Sequence, residues 1–217
     1  MCDVKKILED IAQERPIFHS EADFQHALAW KLHKIYESNA NVRLEFPIGN
    51  KHIDILIPNE IAIELKYKTA ALEININNEN FILKNHSAQD CGSYDFIKDI
   101  TRLEDLAPSL KVKNKYAIFL TNDSSYWNIP AREITCGSAF RLSDNRELKG
   151  NLDWREDTSD GTKKGREEQL NLKGSYKLEW TDYSKIETNT RKNQFRYLCV
   201  KIETFTSDQD EQLGIHN

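Results

Sequence analysis

The residues whose types and spacing could do chemistry are Asp54, Glu64 and Lys66. Nine residues separate the two acids, and one leucine separates Glu64 from Lys66. The acids lie in two isoleucine-rich segments, His52–Ile57 and Ile61–Lys68. Because side chains alternate between the faces of a strand, Glu64 and Lys66 are expected on one face. Charges in apolar strands are costly unless they cluster for a purpose. The pattern therefore predicts a site that binds a cation and activates water.

The turn sequence Pro58–Glu60 separates the two segments and predicts a hairpin. Pairing of residue 57 with 61 and of 55 with 63 would set Asp54 directly opposite Glu64, with Cβ atoms roughly 4.5–5.5 Å apart. Two bare carboxylates at that separation repel each other. A divalent cation bound between them would remove the repulsion.

A small hard cation such as Mg²⁺ prefers oxygen ligands, which Asp54, Glu64 and the carbonyl of Leu65 can supply. Mn²⁺ is expected to substitute for it. A cation held in this way polarises a phosphoryl oxygen and lowers the pKa of a bound water. Lys66 is expected to orient the attacking water or help deprotonate it. Lys68 would take that part if the register were shifted, and it is otherwise expected to contact nucleic acid.

Four further elements must position these residues. A helix is predicted over Ser20–Glu37, with Ser20 and Asp23 as a capping box, and is followed by a strand over Val42–Phe46. Beyond the hairpin, the sequence predicts a helix over 93–106 and a buried strand over Lys115–Thr121. The expected order is helix, three strands, helix, strand. A short N-terminal helix and three later strands are also predicted, the strands near Ile134–Leu142, Ser175–Trp180 and Phe195–Glu203.

Asp54 and the Glu64-Leu65-Lys66 triplet, within this order of elements, resemble the PD-(D/E)xK phosphodiesterases, the superfamily of type II restriction endonucleases and many repair nucleases. The resemblance covers about residues 20–121. Ile53 stands where the name-giving proline would be. Many members add an acidic metal ligand from the first helix, and Glu21 matches that position.

The resemblance implies an α/β fold, a restriction-endonuclease-like αβββαβ core with a mixed central sheet. Residues 1–121 would form this core with the N-terminal helices. Residues 122–217 would be a mainly β extension of the same domain. The implied activity is Mg²⁺-dependent endonucleolytic hydrolysis of DNA in a restriction or phage-defence role, often by a homodimer.

Composition limits the other classes of protein. The chain has 217 residues, 30% of them charged, and a net charge of −5. No stretch approaches the roughly 20 apolar residues of a membrane span, and the N-terminus does not resemble a signal peptide. A cytoplasmic protein without a membrane partner is expected. The four cysteines, at positions 2, 91, 136 and 199, are too scattered to suggest zinc or disulfides.

A net charge of −5 requires a local basic surface if the partner is DNA. Residues 131–200 hold 14 basic and 12 acidic side chains, a local surplus. The densest cations are Lys163, Lys164 and Arg166, in a polar segment, Ser143–Leu172, that is expected to be a long loop or mobile ribbon. This segment, called the arm below, could contact the phosphate backbone, or it could be an ordinary solvated loop.

Simpler interpretations remain open beside these. Glu64 and Lys66 could be an ordinary ion pair on an exposed hairpin face, and Glu21 could merely favour the helix dipole. The charges around Lys98 and Arg102 are expected to form a solvated ladder along their helix. A non-catalytic nucleic-acid-binding protein on the same fold, or a nuclease directed at RNA or at repair, would be the rival functions.

Overall fold

The computed structural model describes residues 3–36, 41–188 and 192–203. The helices in these ranges are α1 (Val4–Glu14), α2 (Glu21–Ile35), α3 (Gln89–Glu104) and the single turn α4 (Asp160–Lys163). The strands are β1 (Arg43–Ile48), β2 (Lys51–Ile57), β3 (Ile61–Lys68), β4 (Leu72–Ile76), β5 (Glu79–Leu83), β6 (Asn114–Thr121), β7 (Glu147–Leu152), β8 (Leu170–Lys177), β9 (Trp180–Lys185) and β10 (Gln194–Ile202).

A six-stranded mixed sheet organises the molecule, in the order β1-β2-β3-β6-β10-β9. The β3–β6 pair is parallel, and the other pairs in the sheet are antiparallel. Parallel neighbours need a crossover connection, which α3 provides between β3 and β6. Two separate antiparallel hairpins, β4–β5 and β7–β8, complete the strands. The predicted α/β class with a mixed central sheet is thus confirmed.

The two faces of the sheet bury different cores. Ile61, Ile63, Leu65 and Tyr67 of β3 pack with the apolar residues of α1 and α2. Ala62, the residue that alternates with them, packs with α3 and the β7–β8 hairpin. Each fully buried Ile or Leu stabilises the fold by about 1.5–3 kcal/mol. Glu64 and Lys66 alternate in the same sense as Ala62, and this points them to the side that α3 covers.

Several predicted elements are confirmed. Strand β3 spans Ile61–Lys68 as expected. Helix α2 begins after Ser20, whose hydroxyl accepts a hydrogen bond from the backbone N–H of Asp23. The N-terminal helix also forms. Its buried residues are the four predicted, Val4, Ile7, Leu8 and Ile11.

Other predictions were wrong. Residues 134–142 form turns around a short 3₁₀ segment, Ser138–Phe140, and no strand. The Asn-rich stretch after β3, for which no element is predicted, folds into the β4–β5 hairpin, because its apolar residues, among them Leu72, Phe81 and Leu83, are buried beneath it. Helix α3 begins at Gln89, one turn before the predicted Ser93.

The arm is not a mobile ribbon. It contains β7, α4 and the start of β8, and the two strands pair antiparallel from Glu147 to Leu152. Leu148, Leu152, Leu170 and Leu172 are buried in the core that α3 shares. Lys149, Asn151 and Asn171, which alternate with these leucines, are exposed, so a segment that is polar on average still forms an ordered hairpin.

The C-terminal extension completes the central sheet. Strand β10 pairs with β6 on one side and with β9 on the other, so a boundary at residue 121 divides strands of one sheet. Cys91, Cys136 and Cys199 are free thiols, and Cys2 lies outside the described residues. None of the helices within the described ranges is long and apolar enough to cross a membrane.

Candidate functional site

The sheet opens at Asp54. Strands β2 and β3 pair from Ile57–Ile61 to Ile55–Ile63, in the predicted register, and their pairing ends there. The alternation of β2 also breaks at this point, because Ile53 and Ile55 pack in different cores. Asp54 therefore reaches into the opening between the strands, where its Oδ2 accepts a hydrogen bond of 2.5 Å from the N–H of Leu65.

Glu21 occupies the next position along this opening. Helix α2 brings its first turn to the end of β3, and Glu21 Oε2 accepts a hydrogen bond of 2.7 Å from the N–H of Tyr67. Two backbone donors on the open edge of β3, at Leu65 and Tyr67, are thus satisfied by carboxylates. The charge of Glu21 also contributes to raising the pKa of Asp54, so the structure brings together two acids that the resemblance implies as metal ligands.

Glu64 is almost completely buried, with 1% of its side chain exposed, and Arg102 of α3 is its partner. Arg102 Nε donates to Glu64 Oε1 at 2.9 Å, and the terminal nitrogen Nη2 contacts Oε2. The same nitrogen lies 2.9 Å from Asp99 Oδ1. The alternative interpretation, an ordinary ion pair of Glu64 and Lys66 on an exposed hairpin face, was therefore wrong: Glu64 lies beneath α3 and pairs with Arg102.

Lys66 forms the second buried ion pair. Its Nζ lies 2.5 Å from Asp99 Oδ2 and 3.3 Å from the carbonyl oxygen of Leu65. Asp99 thus bridges Lys66 and Arg102. The prediction of a solvated charge ladder on this helix was wrong for Asp99 and Arg102, because both turn toward the sheet. Six side chains form this site, here called the acidic cluster: Glu21, Asp54, Glu64, Lys66, Asp99 and Arg102.

The pKa values follow from burial and charge. Burial raises the pKa of Asp54 from its ordinary 3.8 to about 6, although the Leu65 N–H and the charge of Lys66 act against it. Burial, and then the charges of Asp99 and Asp54, also raise the pKa of Glu64. Burial alone would lower the pKa of Lys66, but Asp99, Glu21 and Asp54 outweigh burial and hold it well above its usual range.

The acidic cluster contains more acids than bases. Arg102 balances Glu64, and Lys66 balances Asp99. Asp54 and Glu21 are the two acids of the cluster outside these pairs. Their carboxylates accept hydrogen bonds from backbone N–H groups. Were all four acids and both bases ionised, the net charge would be −2, the charge that one divalent cation neutralises. A bound cation would favour that ionised state, whereas burial alone raises the pKa values of Asp54 and Glu64.

The donor chemistry fits a hard cation. Carboxylates and the Leu65 carbonyl are oxygen ligands of the kind that Mg²⁺ prefers. The present geometry is nevertheless that of ion pairs: among the described residues, no three His, Cys, Asp or Glu side chains are arranged as a metal-binding group. The physical reason is that Glu64 turns its carboxylate to Arg102, and Leu65 turns its carbonyl to Lys66.

Gln25 is a supporting residue that the sequence analysis missed. Its amide Nε2 donates to the backbone carbonyl of Asp54 and to Glu45 Oε1, both at 2.7 Å. Glu45 lies opposite Asp54 on β1 and has a φ of +49°, a left-handed conformation that is uncommon for a non-glycine residue. Gln25 thus fixes both strands where β2 departs from β3.

Asp99 and Arg102 were also missed as members of the site. A signal for Asp99 exists in the sequence: it follows Phe96 by three residues and precedes Leu103 by four, so it lies on the apolar face of α3. An acid on such a face needs a buried partner. The identity of that partner, Lys66 on β3, depends on the tertiary fold.

The predicted nucleic-acid contacts fall in two places. Lys68 is half-buried at the end of β3, beside His86. Lys163, Lys164 and Arg166 lie in and after α4 on the arm. Arg166 donates to both carboxylate oxygens of Asp95, at 2.7 Å each, so its guanidinium binds α3 and its predicted contact with phosphate has a competitor within the protein.

A cleft of about 460 Å³ adjoins the acidic cluster. The start of β2, the outer side of α3 and the beginning of β8 enclose it, and Arg102 is the cluster member that lines it. Lys51, His52 and Lys98 line it as well. Searches against protein-family models, curated proteins and solved structures found no match to this chain.

Proposed function

We propose that this chain is a metal-dependent phosphodiesterase that cuts DNA, an endonuclease of the restriction or phage-defence kind. One observation carries the proposal. Asp54, Glu64 and Lys66 lie where β2 departs from β3, within a mostly buried cluster of four acids and two bases. A protein that only needed stability would gain more from apolar residues at such positions.

The order of elements supports the same proposal. Helix α2, strands β1–β3, helix α3 and strand β6 follow in the order expected of a PD-(D/E)xK core, with β3 parallel to β6. The β4–β5 hairpin is then an insertion between β3 and α3, and strands β9 and β10 extend the sheet beyond β6.

In this proposal Asp54, Glu64, the Leu65 carbonyl and Glu21 hold Mg²⁺ or Mn²⁺. The ion supplies Lewis-acid stabilisation of the phosphoryl oxygen and lowers the pKa of water. Lys66 donates hydrogen bonds to the attacking water or to a phosphate oxygen, and it remains protonated because its acidic neighbours raise its pKa. Asp99 holds Lys66 in position through their 2.5 Å contact.

Contacts with the DNA backbone are proposed for Lys68 and for Lys163 and Lys164 of the arm. Arg166 contributes only if it leaves Asp95. A homodimer is proposed from the resemblance alone, and light scattering at micromolar concentration tests it.

A second candidate function is a non-catalytic nucleic-acid-binding protein. The observation that favours it is that both cations of the acidic cluster are already paired, Arg102 with Glu64 and Lys66 with Asp99. On this view the cluster joins α3 to the sheet and no metal is needed.

Incubation of the protein with supercoiled plasmid in Mg²⁺, Mn²⁺ or EDTA distinguishes the two candidates. The nuclease nicks or linearises the plasmid only with metal, and Asp54→Asn or Glu64→Gln abolishes the reaction. Arg196→Gln is the matched control, because Arg196 lies on β10 in an ion pair with Asp182. Retention of intact plasmid together with a metal-independent gel shift would favour the binding protein, and a parallel RNA substrate tests the alternative target.

A further inference from the structure

Arg102 lies between the buried acids and the cleft. It touches Glu64 and Asp99 on its inner side and lines the cleft on its outer side. Its side chain is 23% exposed, compared with 1% for Glu64 and 6% for Asp99. A cation that approaches Glu64 from the cleft therefore meets the guanidinium first.

We infer that Arg102 is the resident counter-cation of Glu64, which a divalent metal must displace, and that the displaced guanidinium binds a phosphate of the substrate from the cleft. The inference rests on the proposed function and adds a residue to it. The three residues that the sequence predicts as catalytic, Asp54, Glu64 and Lys66, do not line the cleft.

Occupation of the same carboxylate makes Arg102 and a metal competitors. Arg102 contacts both oxygens of Glu64, so Glu64 must release at least one contact to become a ligand. A guanidinium left beside a divalent ion would also repel it. In a partly buried site, a unit charge a few ångströms away changes the binding of a divalent ion by one or more powers of ten.

The cleft provides a place for the displaced side chain. Arg102 lines it, together with two further basic side chains, Lys51 and Lys98. Lys98 is paired with Glu168 at 2.8 Å. A guanidinium matches the geometry of a phosphate better than an ammonium does, because it donates two parallel hydrogen bonds. Metal binding would thus complete the phosphate-binding surface, so that substrate and metal bind cooperatively.

The first test measures Mn²⁺ binding by calorimetry and by thermal unfolding in wild type, Arg102→Gln and Arg196→Gln. Arg196 is a suitable control because it is 18% exposed and also paired with an acid. Arg102→Gln is expected to bind Mn²⁺ at least about tenfold more tightly and to be stabilised by the metal more than wild type, whereas Arg196→Gln should match wild type in Mn²⁺ affinity. Either of two results would overturn the inference. Equal binding by Arg102→Gln would show that Arg102 does not compete with the metal, and weaker binding would show that Arg102 positions Glu64 as a ligand.

The second test measures duplex DNA binding in EDTA and in Ca²⁺, with a gel to verify that the duplex stays intact. Loss of Arg102 should weaken binding about tenfold in Ca²⁺ and leave it unchanged in EDTA, because the guanidinium reaches phosphate only after the metal displaces it. An equal loss in both conditions would overturn the coupling.

Two further results separate the possible failures. If wild type and both variants bind no divalent metal, the proposed function fails together with this inference. If wild type binds metal and Arg102→Gln does so no better, only the inference fails. Should Arg102→Gln not fold, Arg102→Lys replaces it. Lysine contacts one oxygen where arginine contacts two, so Mn²⁺ affinity should rise by a smaller factor, and a fall would contradict the inference.

Discussion

Two charged regions of this molecule, the acidic cluster and the arm, form ion pairs with opposite sides of helix α3. In the cluster, Asp99 and Arg102 on the inner side of α3 pair with buried residues of β3. On its outer side, Asp95 binds Arg166 and Lys98 binds Glu168, and both partners belong to the arm. Helix α3 therefore links the candidate catalytic site to the candidate DNA-binding segment.

The difference between these regions is burial. Removing one partner from a buried ion pair leaves a charge without compensation and costs about 3–5 kcal/mol, whereas exposed pairs contribute about 0–1 kcal/mol. Charge in the cluster should therefore determine both stability and activity. Charge on the arm should mainly determine affinity for a partner and its salt dependence.

The largest expected effect is on catalysis by Lys66→Met. If Lys66 contacts the transition state, the rate of plasmid cleavage should fall by about a thousandfold or more, while Mn²⁺ affinity should not fall, because Lys66 is not a ligand and its positive charge repels the ion. Single-turnover cleavage and calorimetry on the same samples measure the two quantities. Lys68→Met is the control, and a rate loss that appears there instead would transfer the role to Lys68.

Asp99→Asn should have the largest effect on stability. Asp99 is the shared partner of Lys66 and Arg102, so its neutralisation should lower the free energy of unfolding of the metal-free protein by up to about 3–5 kcal/mol. Relief of its repulsion with Glu64 and Asp54 reduces that loss. Urea unfolding measures it, with Asp95→Asn as the control on the same helix. An equal loss in both variants would remove the contrast between the inner and outer sides of α3.

The site could be predicted from the sequence only where its residues are local. The extent of β3 and its register with β2 follow from alternation and from the turn at Pro58. The pairs Arg102–Glu64 and Lys66–Asp99 join residues more than 30 positions apart, and no local pattern links them. The charges near Lys98 resemble a solvated ladder when Asp99 is grouped with its exposed neighbours, whereas its spacing from Phe96 and Leu103 places it on the apolar face of α3.

The strands of the arm are hidden from a composition-based prediction for a related reason. Its average composition is polar, but in β8 every second residue is buried, including Leu170, Leu172 and Tyr176. That alternation is a strand signal, which composition averages away. The β4–β5 hairpin is hidden for a different reason: the exposed side chain between buried Phe81 and Leu83 is Ile82, so β5 has no alternation of apolar with polar residues there.

The pH dependence of stability tests whether Asp54 carries uncompensated charge. Its pKa is about 6 in the folded protein and 3.8 ordinarily, so the folded state retains a proton that the unfolded chain has lost. Ionisation of Asp54 should therefore lower the stability of the metal-free wild type as the pH rises through that window. Asp54→Asn should lack this loss, although the raised pKa of Glu64 lowers the stability of both proteins as the pH rises. The advantage of Asp54→Asn should grow between pH 4 and 6 and then stay constant.

Glu14→Gln is a control of opposite sign for this experiment. The hydrogen bond from Lys31 lowers the pKa of Glu14 from its ordinary 4.5, so this carboxylate adds stability as the pH rises. Its removal should therefore cost stability above pH 4.5. Thermal unfolding across the pH series, with EDTA present, measures both variants. A pH-independent difference between wild type and Asp54→Asn would show that Asp54 is compensated in the folded protein.

On the arm, Arg166→Gln should lower stability modestly. Arg166 and Asp95 are about 30% exposed, and the pair joins the arm to α3 by two parallel hydrogen bonds of 2.7 Å. A loss of up to about 1 kcal/mol is expected, which corresponds to a decrease in Tm of about 2–4 °C for a chain of this size. Asp95→Asn should cause the same decrease, and the double variant should add little more, because both changes remove one interaction.

The smallest effect on stability should come from replacing Lys163 and Lys164 with Gln, because Lys164 is exposed and Lys163 lies 3.7 Å from a fully exposed Asp160. Their Tm should match wild type.

If these lysines contact the DNA backbone, the double variant should bind duplexes of unrelated sequence more weakly and by similar factors. The slope of log affinity against log salt should also become shallower by up to about 0.9 for each lost contact. Anisotropy titrations of two duplexes at several salt concentrations measure this slope, with Lys177→Gln, which lies beyond the arm at the end of β8, as the control. An unchanged affinity and slope would make the arm a structural hairpin that Arg166 attaches to α3, and the surface that binds DNA would then have to lie nearer the acidic cluster, around Lys68 and the cleft beside Arg102.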